Sequence, residues 1–171
     1  MAESFLTLMA DYDHVAQFRM DGWYNALQHA GFTGTQTPNL NHHISLATFP
    51  LEAEEEAIAL TRRIAAEFAP VEVHISHIGV FAGGRVLFAA ADVNPALAAL
   101  QCACSDDRPL VHGHPWTPRT TMLIDAPETI RAALPTLLEK FEPFCARINR
   151  LHLCAFWPTR EILSVELTGR K

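Results

Sequence analysis

An α+β fold of two mostly antiparallel sheets, with helices packed outside and a central cleft, is what this sequence predicts. Three observations predict it. Strand-like and helix-like periodicities alternate along the whole chain. Turn residues separate these segments at short intervals. The order strand, long helix, hairpin also occurs twice, over 42–92 and 117–169, so the 171 residues are expected to form one bilobal, pseudo-twofold domain over 1–171.

Each element has its own signal. Residues 4–10, "SFLTLMA", read as a strand. Residues 15–31 carry helical spacing and stop at Gly31, a residue suited to the position just past a helix end. A loop follows over 33–39, then a strand at 42–49, "HHISLATF". Helix is expected over 52–69, with acids in its first turns and Arg62 and Arg63 later, as the helix dipole favours. Residues 71–81 and 85–92 flank Gly83-Gly84 and read as a hairpin. Asn94 and Pro95 open a helix to 105 as cap and first-turn residue. A strand covers 117–125, and 126–146 reads mostly as helix, bent or broken at Pro135 and Pro143. Strands at 147–157 and 161–169 close the chain around Pro158-Thr159.

Composition narrows the function classes. Apolar residues make up 49% and charged ones 19%, the balance of a folded chain with a real core. A net charge of −6 opposes a broad grip on duplex nucleic acid, although a small concave site for a nucleotide or an RNA end stays compatible with it. No apolar run is long enough to span a membrane, and the first residues lack the basic start of a signal peptide. The four cysteines show no C-x-x-C pair, so reduced thiols and a cytoplasmic location are expected. Oligomeric state leaves no mark in the sequence.

Side chains alternate across a strand, so residues two apart share a face. In "HISL", His43 and Ser45 point one way and Ile44 and Leu46 the other. In "RTTM", Arg119 and Thr121 share one face, and Thr120 and Met122 the other. The two stretches occupy the same place in the two half-repeats. If the halves pack about a twofold, His43/Ser45 and Arg119/Thr121 face each other across the cleft.

These residues resemble the 2H phosphoesterases, the family of bacterial 2′-5′ RNA ligase and the 2′,3′-cyclic phosphodiesterases. That family carries two H-x-[ST]-hydrophobic motifs, each on the strand before a long helix. The first stands here intact as His43-Ile44-Ser45-Leu46; the second is Arg119-Thr120-Thr121-Met122, preceded by Pro118. The resemblance implies a small phosphodiester, nucleotide or RNA end as ligand, metal-independent chemistry and no cofactor. It implies His43 as acid–base, and Ser45 and Thr121 as holders of the phosphate oxygens.

The departure is Arg119, where the family has its second histidine. Histidine exchanges protons near neutral pH because its ordinary pKa is about 6.5. Arginine stays protonated but binds phosphate bidentately and stabilises developing charge. Three readings follow. The protein binds a phosphorylated ligand without turning it over; it runs one-histidine chemistry with Arg119 electrostatic; or His112 or His114 of "VHGHPW" supplies the second group. Losing one acid–base group typically costs about 10²–10⁴-fold in rate.

Plainer roles compete elsewhere. His42 reads as a neighbour facing away from His43. His112, His114 and His42 or His43 offer three nitrogen ligands for an open zinc site, but no carboxylate or thiolate partner has fitting spacing. Cys102 and Cys104 lie two apart on a helix, where side chains diverge. His74 and His77, three apart on a strand, are expected on opposite sides. His152 and Cys154 share a strand face, in the core or a cleft wall. Trp116, Phe156 and Trp157 suit packing better than base stacking.

Overall fold

The two strands expected to face each other bury their residues in the same rhythm. In β2 (His43–Pro50), His43 and Ser45 are partly exposed while Ile44 and Leu46 are fully buried. In β5 (Arg119–Ile124), Arg119 and Thr121 are partly exposed while Thr120 and Met122 are buried. Alternation therefore places four polar side chains on one face and four residues in the core.

The computed structural model describes residues 4–81, 83–105 and 116–171. Around β2 and β5 the chain adds β1 (Phe5–Tyr12), β3 (Val71–Val80), β4 (Val86–Ala91), β6 (Phe144–Phe156) and β7 (Arg160–Glu166). The α-helices are α1 (His14–His29), α2 (Glu54–Glu67), α3 (Pro95–Ser105) and α4 (Pro127–Lys140). Asp13 caps α1, its Oδ1 accepting from Ala16 N at 2.9 Å, and Gly31 follows the helix at a φ of 89°, which favours glycine. Met20, Trp23 and Leu27 turn one stripe of α1 into the core.

The α+β class and the antiparallel pairing hold throughout: strand order is β2-β1-β6-β3-β4-β5, with β7 also on β6. The two expected sheets are wings of one sheet, joined by β6. Residues 144–148 of β6 pair with β3, while 148–156 pair with β1 and 150–155 with β7. One wing is thus β2-β1-β6-β7 and the other β6-β3-β4-β5, so β2 and the β3–β4 hairpin that follows it lie in different wings. The join comes from 144–146, which the sequence assigns to helix. Phe144 and Ala146 are buried and Cys145 exposed, a strand rhythm that starts as soon as Pro143 ends the helical region.

Pro135, expected to bend or break α4, sits inside it. It lies on the exposed side of the helix, away from the buried Ala133 and Leu137. Deviations also occur in β3, where a bulge between Ile75 and His77 shifts the register against β4. His74 and His77, expected on opposite sides, consequently meet one carboxylate. Asp92 lies 3.1 Å from His74 Nδ1 and 3.9 Å from His77 Nδ1, and accepts from Ser76 Oγ at 2.6 Å. Ser76 and then His74 hold the Asp92 carboxyl below its ordinary range.

The wings are tied on the core side as well. Tyr12 of β1 and Thr120 of β5 share a buried hydrogen bond of 2.9 Å between their hydroxyls. Trp116, just before β5, donates its indole N–H to the Ser45 carbonyl at 2.9 Å. These bonds hold β2 and β5 beside each other although no ladder links them.

Candidate functional site

His43 begins β2, and its ring is fixed from below. Its Nδ1 lies 2.7 Å from the Asn41 carbonyl oxygen, which can only accept. Nδ1 therefore carries the hydrogen, and in the neutral ring the lone pair is on Nε2. Burial holds the His43 pKa below its ordinary value; the Asn41 bond and the Asp11 charge oppose this, and His152 and Arg119 reinforce it. At neutral pH the ring is thus a free base with an available nitrogen.

His42 is held apart from it. Its backbone N–H donates to Gln17 Oε1 at 2.9 Å, its carbonyl accepts from Gln17 Nε2 at 2.8 Å, and its Nε2 meets Asp21 Oδ1 at 3.1 Å. Burial holds its pKa below the ordinary value, against the pull of Asp21. All three contacts tie the start of β2 to α1.

His43 and Thr121 line one cavity of about 400 Å³, bounded by Asn41 and Leu40 of the preceding loop and by Tyr24 of α1. The loop is clamped to the end of β5: Thr35 N–H donates to the Ile124 carbonyl at 2.8 Å, and Ile124 N–H donates to Gln36 Oε1 at 3.1 Å. Neither the Thr121 nor the Ser45 hydroxyl has a hydrogen-bond partner among the described residues. Ser45 and Arg119 lie outside the lining of this cavity.

Arg119 rests on aromatic rings. Its guanidinium lies 4.6 Å from the centre of the Phe81 ring, and Phe81 packs on Phe88 at 4.8 Å between centres. No carboxylate pairs with it among the described residues. Partial burial lowers its pKa without removing its charge at neutral pH. Phe88 in turn lies across Gly79, where an added Cβ would collide with the ring. Gly79→Ala is therefore expected to push Phe88 and Phe81 out of place, destabilise the fold by about 1–3 kcal/mol and, if Arg119 holds an anion, weaken that binding. Chemical denaturation and phosphate titration check the two effects.

The structure thus brings His43 and Thr121 into one cavity, with Ser45 one alternation further along β2 and Arg119 close enough to depress His43. His112 and His114 lie outside the described residues. Among the described residues no group of three His, Cys, Asp or Glu side chains is arranged to hold a metal. The four cysteines are unpaired; on α3, Cys102 is exposed and Cys104 buried, and burial pushes the Cys104 thiol up to about 12. No described helix is long and apolar enough to cross a membrane.

Sequence reasoning missed Asp11 and Asn41, and treated His152 only as a wall residue. Asp11 pairs with His43 across β1–β2, and Met9 pairs with both Ser45 and His152. A hint was present, since Asp11 falls in phase with Thr7 and Met9 at the end of a mostly apolar strand.

Two strands presenting H-x-S and R-x-T on one face, each followed by a long helix, define a phosphoesterase-like architecture. The chain belongs to the 2′-5′ RNA ligase superfamily, the 2H phosphoesterases, whose family model matches residues 12–156. Its fold is similar to that of Escherichia coli LigT crystallised with 3′-AMP, at 18% identity and a TM-score of 0.66, covering 96% of this chain and 98% of that one. TT0787 of Thermus thermophilus is similar at 15% identity and a TM-score of 0.67, covering 98% and 100%. A phosphoesterase crystal structure is similar at 17% identity and a TM-score of 0.62, covering 97% and 99%. None of the curated protein sequences is significantly similar to the chain.

Proposed function

We propose that the protein acts on 2′,3′-cyclic phosphate or 2′-5′-linked nucleotide or RNA phosphodiesters by one-histidine, metal-independent chemistry. The observation that carries this reading is the Asn41-bound Nδ1 of His43, which leaves Nε2 as a base in the cavity it shares with Thr121. In hydrolysis of a cyclic phosphate, Nε2 takes the proton of the attacking water as the new P–O bond forms. One ring P–O bond then breaks, and the leaving alkoxide takes a proton from the His43 imidazolium or from solvent. Ser45 and Thr121 donate to the non-bridging oxygens, and Arg119 opposes the charge that builds on them. LigT structures with 3′-AMP, ATP, NADP+ and phosphate support a small nucleotide as ligand. Unpaired thiols support a cytoplasmic location.

Arg119 itself favours a second reading, a nucleotide- or RNA-end-binding module without turnover, because it cannot relay protons. Incubating the protein with 2′,3′-cyclic nucleotides and 2′-5′-linked oligoribonucleotides, then separating products by chromatography, decides between the two. New phosphomonoester or rejoined product supports the enzyme; saturable binding with unchanged substrate supports the module.

The hydroxyls are expected to act together. Ser45→Ala and Thr121→Val should each lower kcat/KM by about 10–100-fold if the hydroxyls bind the charged oxygens, at about 1.5–3 kcal/mol per bond. Steady-state kinetics would read this, and wild-type kcat/KM in both variants would remove the hydroxyls from the site.

A further inference from the structure

A second set of charged groups lies behind His43. Asp11, across β1–β2 from it, is only 2% exposed. A carboxylate placed so deeply needs donors or an opposite charge. Its Oδ2 accepts from Asn41 Nδ2 at 3.1 Å and meets His152 Nδ1 at 3.4 Å; Oδ1 has no donor among the described residues. His152 reaches Asp11 from β6, on the far side of β1 from His43. Asn41 is also the residue whose carbonyl holds His43 Nδ1. Imidazole, carboxylate, asparagine and imidazole are therefore joined in series from β6 to β2.

We infer that Asp11 is the positioning residue of His43, fixing Asn41 and with it the ring tautomer, with His152 as its counter-charge. This rests on the reading of His43 as the acid–base group. Two carboxylates and a thiol surround the His152 ring. Its Nε2 lies 3.2 Å from Glu161 Oε2 of β7 and 3.3 Å from Cys154 Sγ. Asp11 first, then Cys154, push its pKa up to about 10. His43 is faced by Asp11 from β1, by His152 from β6 and by Arg119 from β5, while the adjacent His42 is tied to Asp21 of α1. Asp11 raises the His43 pKa, and its effect exceeds the opposing one of His152.

Two buried substitutions must then move His43 in opposite directions. Asp11→Asn keeps an acceptor for Asn41 but removes the carboxylate, whose upward pull on His43 exceeds the downward push of His152, so the His43 pKa falls even where His152 also loses its charge. His152→Gln keeps a donor for Asp11 and removes the positive charge, so the His43 pKa rises. Loosened packing would instead let water reach His43 and raise its pKa in both variants. Asn41→Ala, at an exposed residue, leaves the Asp11–His152 pair intact and provides a test if a buried variant fails to fold. It should let the Nε2–H tautomer appear beside Nδ1–H and lower kcat by up to about 100-fold with KM unchanged.

Long-range proton–nitrogen spectra of the ring nitrogens across pH read both quantities on the full chain without needing turnover. Shifts of the same sign in Asp11→Asn and His152→Gln, or an unchanged single tautomer in Asn41→Ala, would overturn the inference. Opposite shifts in a protein without turnover would uphold the positioning role and remove the acid–base reading. Turnover with no such shifts would do the reverse.

Discussion

Alanine at position 43 is expected to lower turnover of a 2′,3′-cyclic phosphodiester by about 10²–10⁴-fold, the usual contribution of a general acid–base group. With Arg119 unable to exchange protons at neutral pH, the loss should lie toward the upper end of that range. Binding should change far less, because Arg119 and the two hydroxyls remain. The pH profile separates this role from a structural one. In the proposed reaction His43 is the free base, and burial holds its pKa below about 6.5. Activity should therefore be flat through neutrality and fall as pH drops through that lowered value. The same shift affects stability. The unfolded chain takes up a proton at His43 that the folded chain resists, so stability present above the unfolded pKa is lost as pH falls. Single-turnover kinetics on His43→Ala, with 3′-nucleotide binding measured in parallel, check both parts. Turnover that survives the substitution would remove His43 from the reaction.

The polar faces of β2 and β5 were legible because alternation is local: "HISL" and "RTTM" each state their own exposed and buried sides. Helix ends marked by Gly31, Asn94 and Pro95 were legible for the same reason. What escaped depended on register between distant strands. The Asp11–His152 contact needs β6 to run beside β1, yet the first residues of β6 read as the end of a helix containing Pro135 and Pro143. The β3 bulge was equally hidden, so two histidines expected to diverge share Asp92. The aromatic support of Arg119 likewise depends on the β3–β4 hairpin lying next to β5. The motif residues could thus be named from the sequence, whereas the groups that orient and charge them came from pairing.

Arg119→His is the change with the largest expected gain. The position lies on the same strand face as Thr121, one alternation away, as His43 and Ser45 do on β2. An imidazole there can protonate the leaving oxygen while His43 deprotonates the attacking one, so turnover of a cyclic phosphate should rise by about 10²–10⁴-fold. The pH profile should change from a single acid limb to a bell, since the reaction would then need one ring neutral and the other charged. The gain should depend on the leaving group. An alkoxide needs the proton and should show the full effect, while an acidic phenol leaves without help and should show little. Arg119→Ala makes the complementary test, because it removes the proposed phosphate anchor without supplying an acid. It should raise KM for every substrate and leave the leaving-group dependence as it is in the wild type. Comparing the three proteins on a cyclic nucleotide and on an aryl phosphodiester reads all of these terms. A histidine variant no faster than wild type on the cyclic substrate would mean that the β5 side of the site does not face the leaving oxygen. Arg119 would then act as an anchor for binding alone.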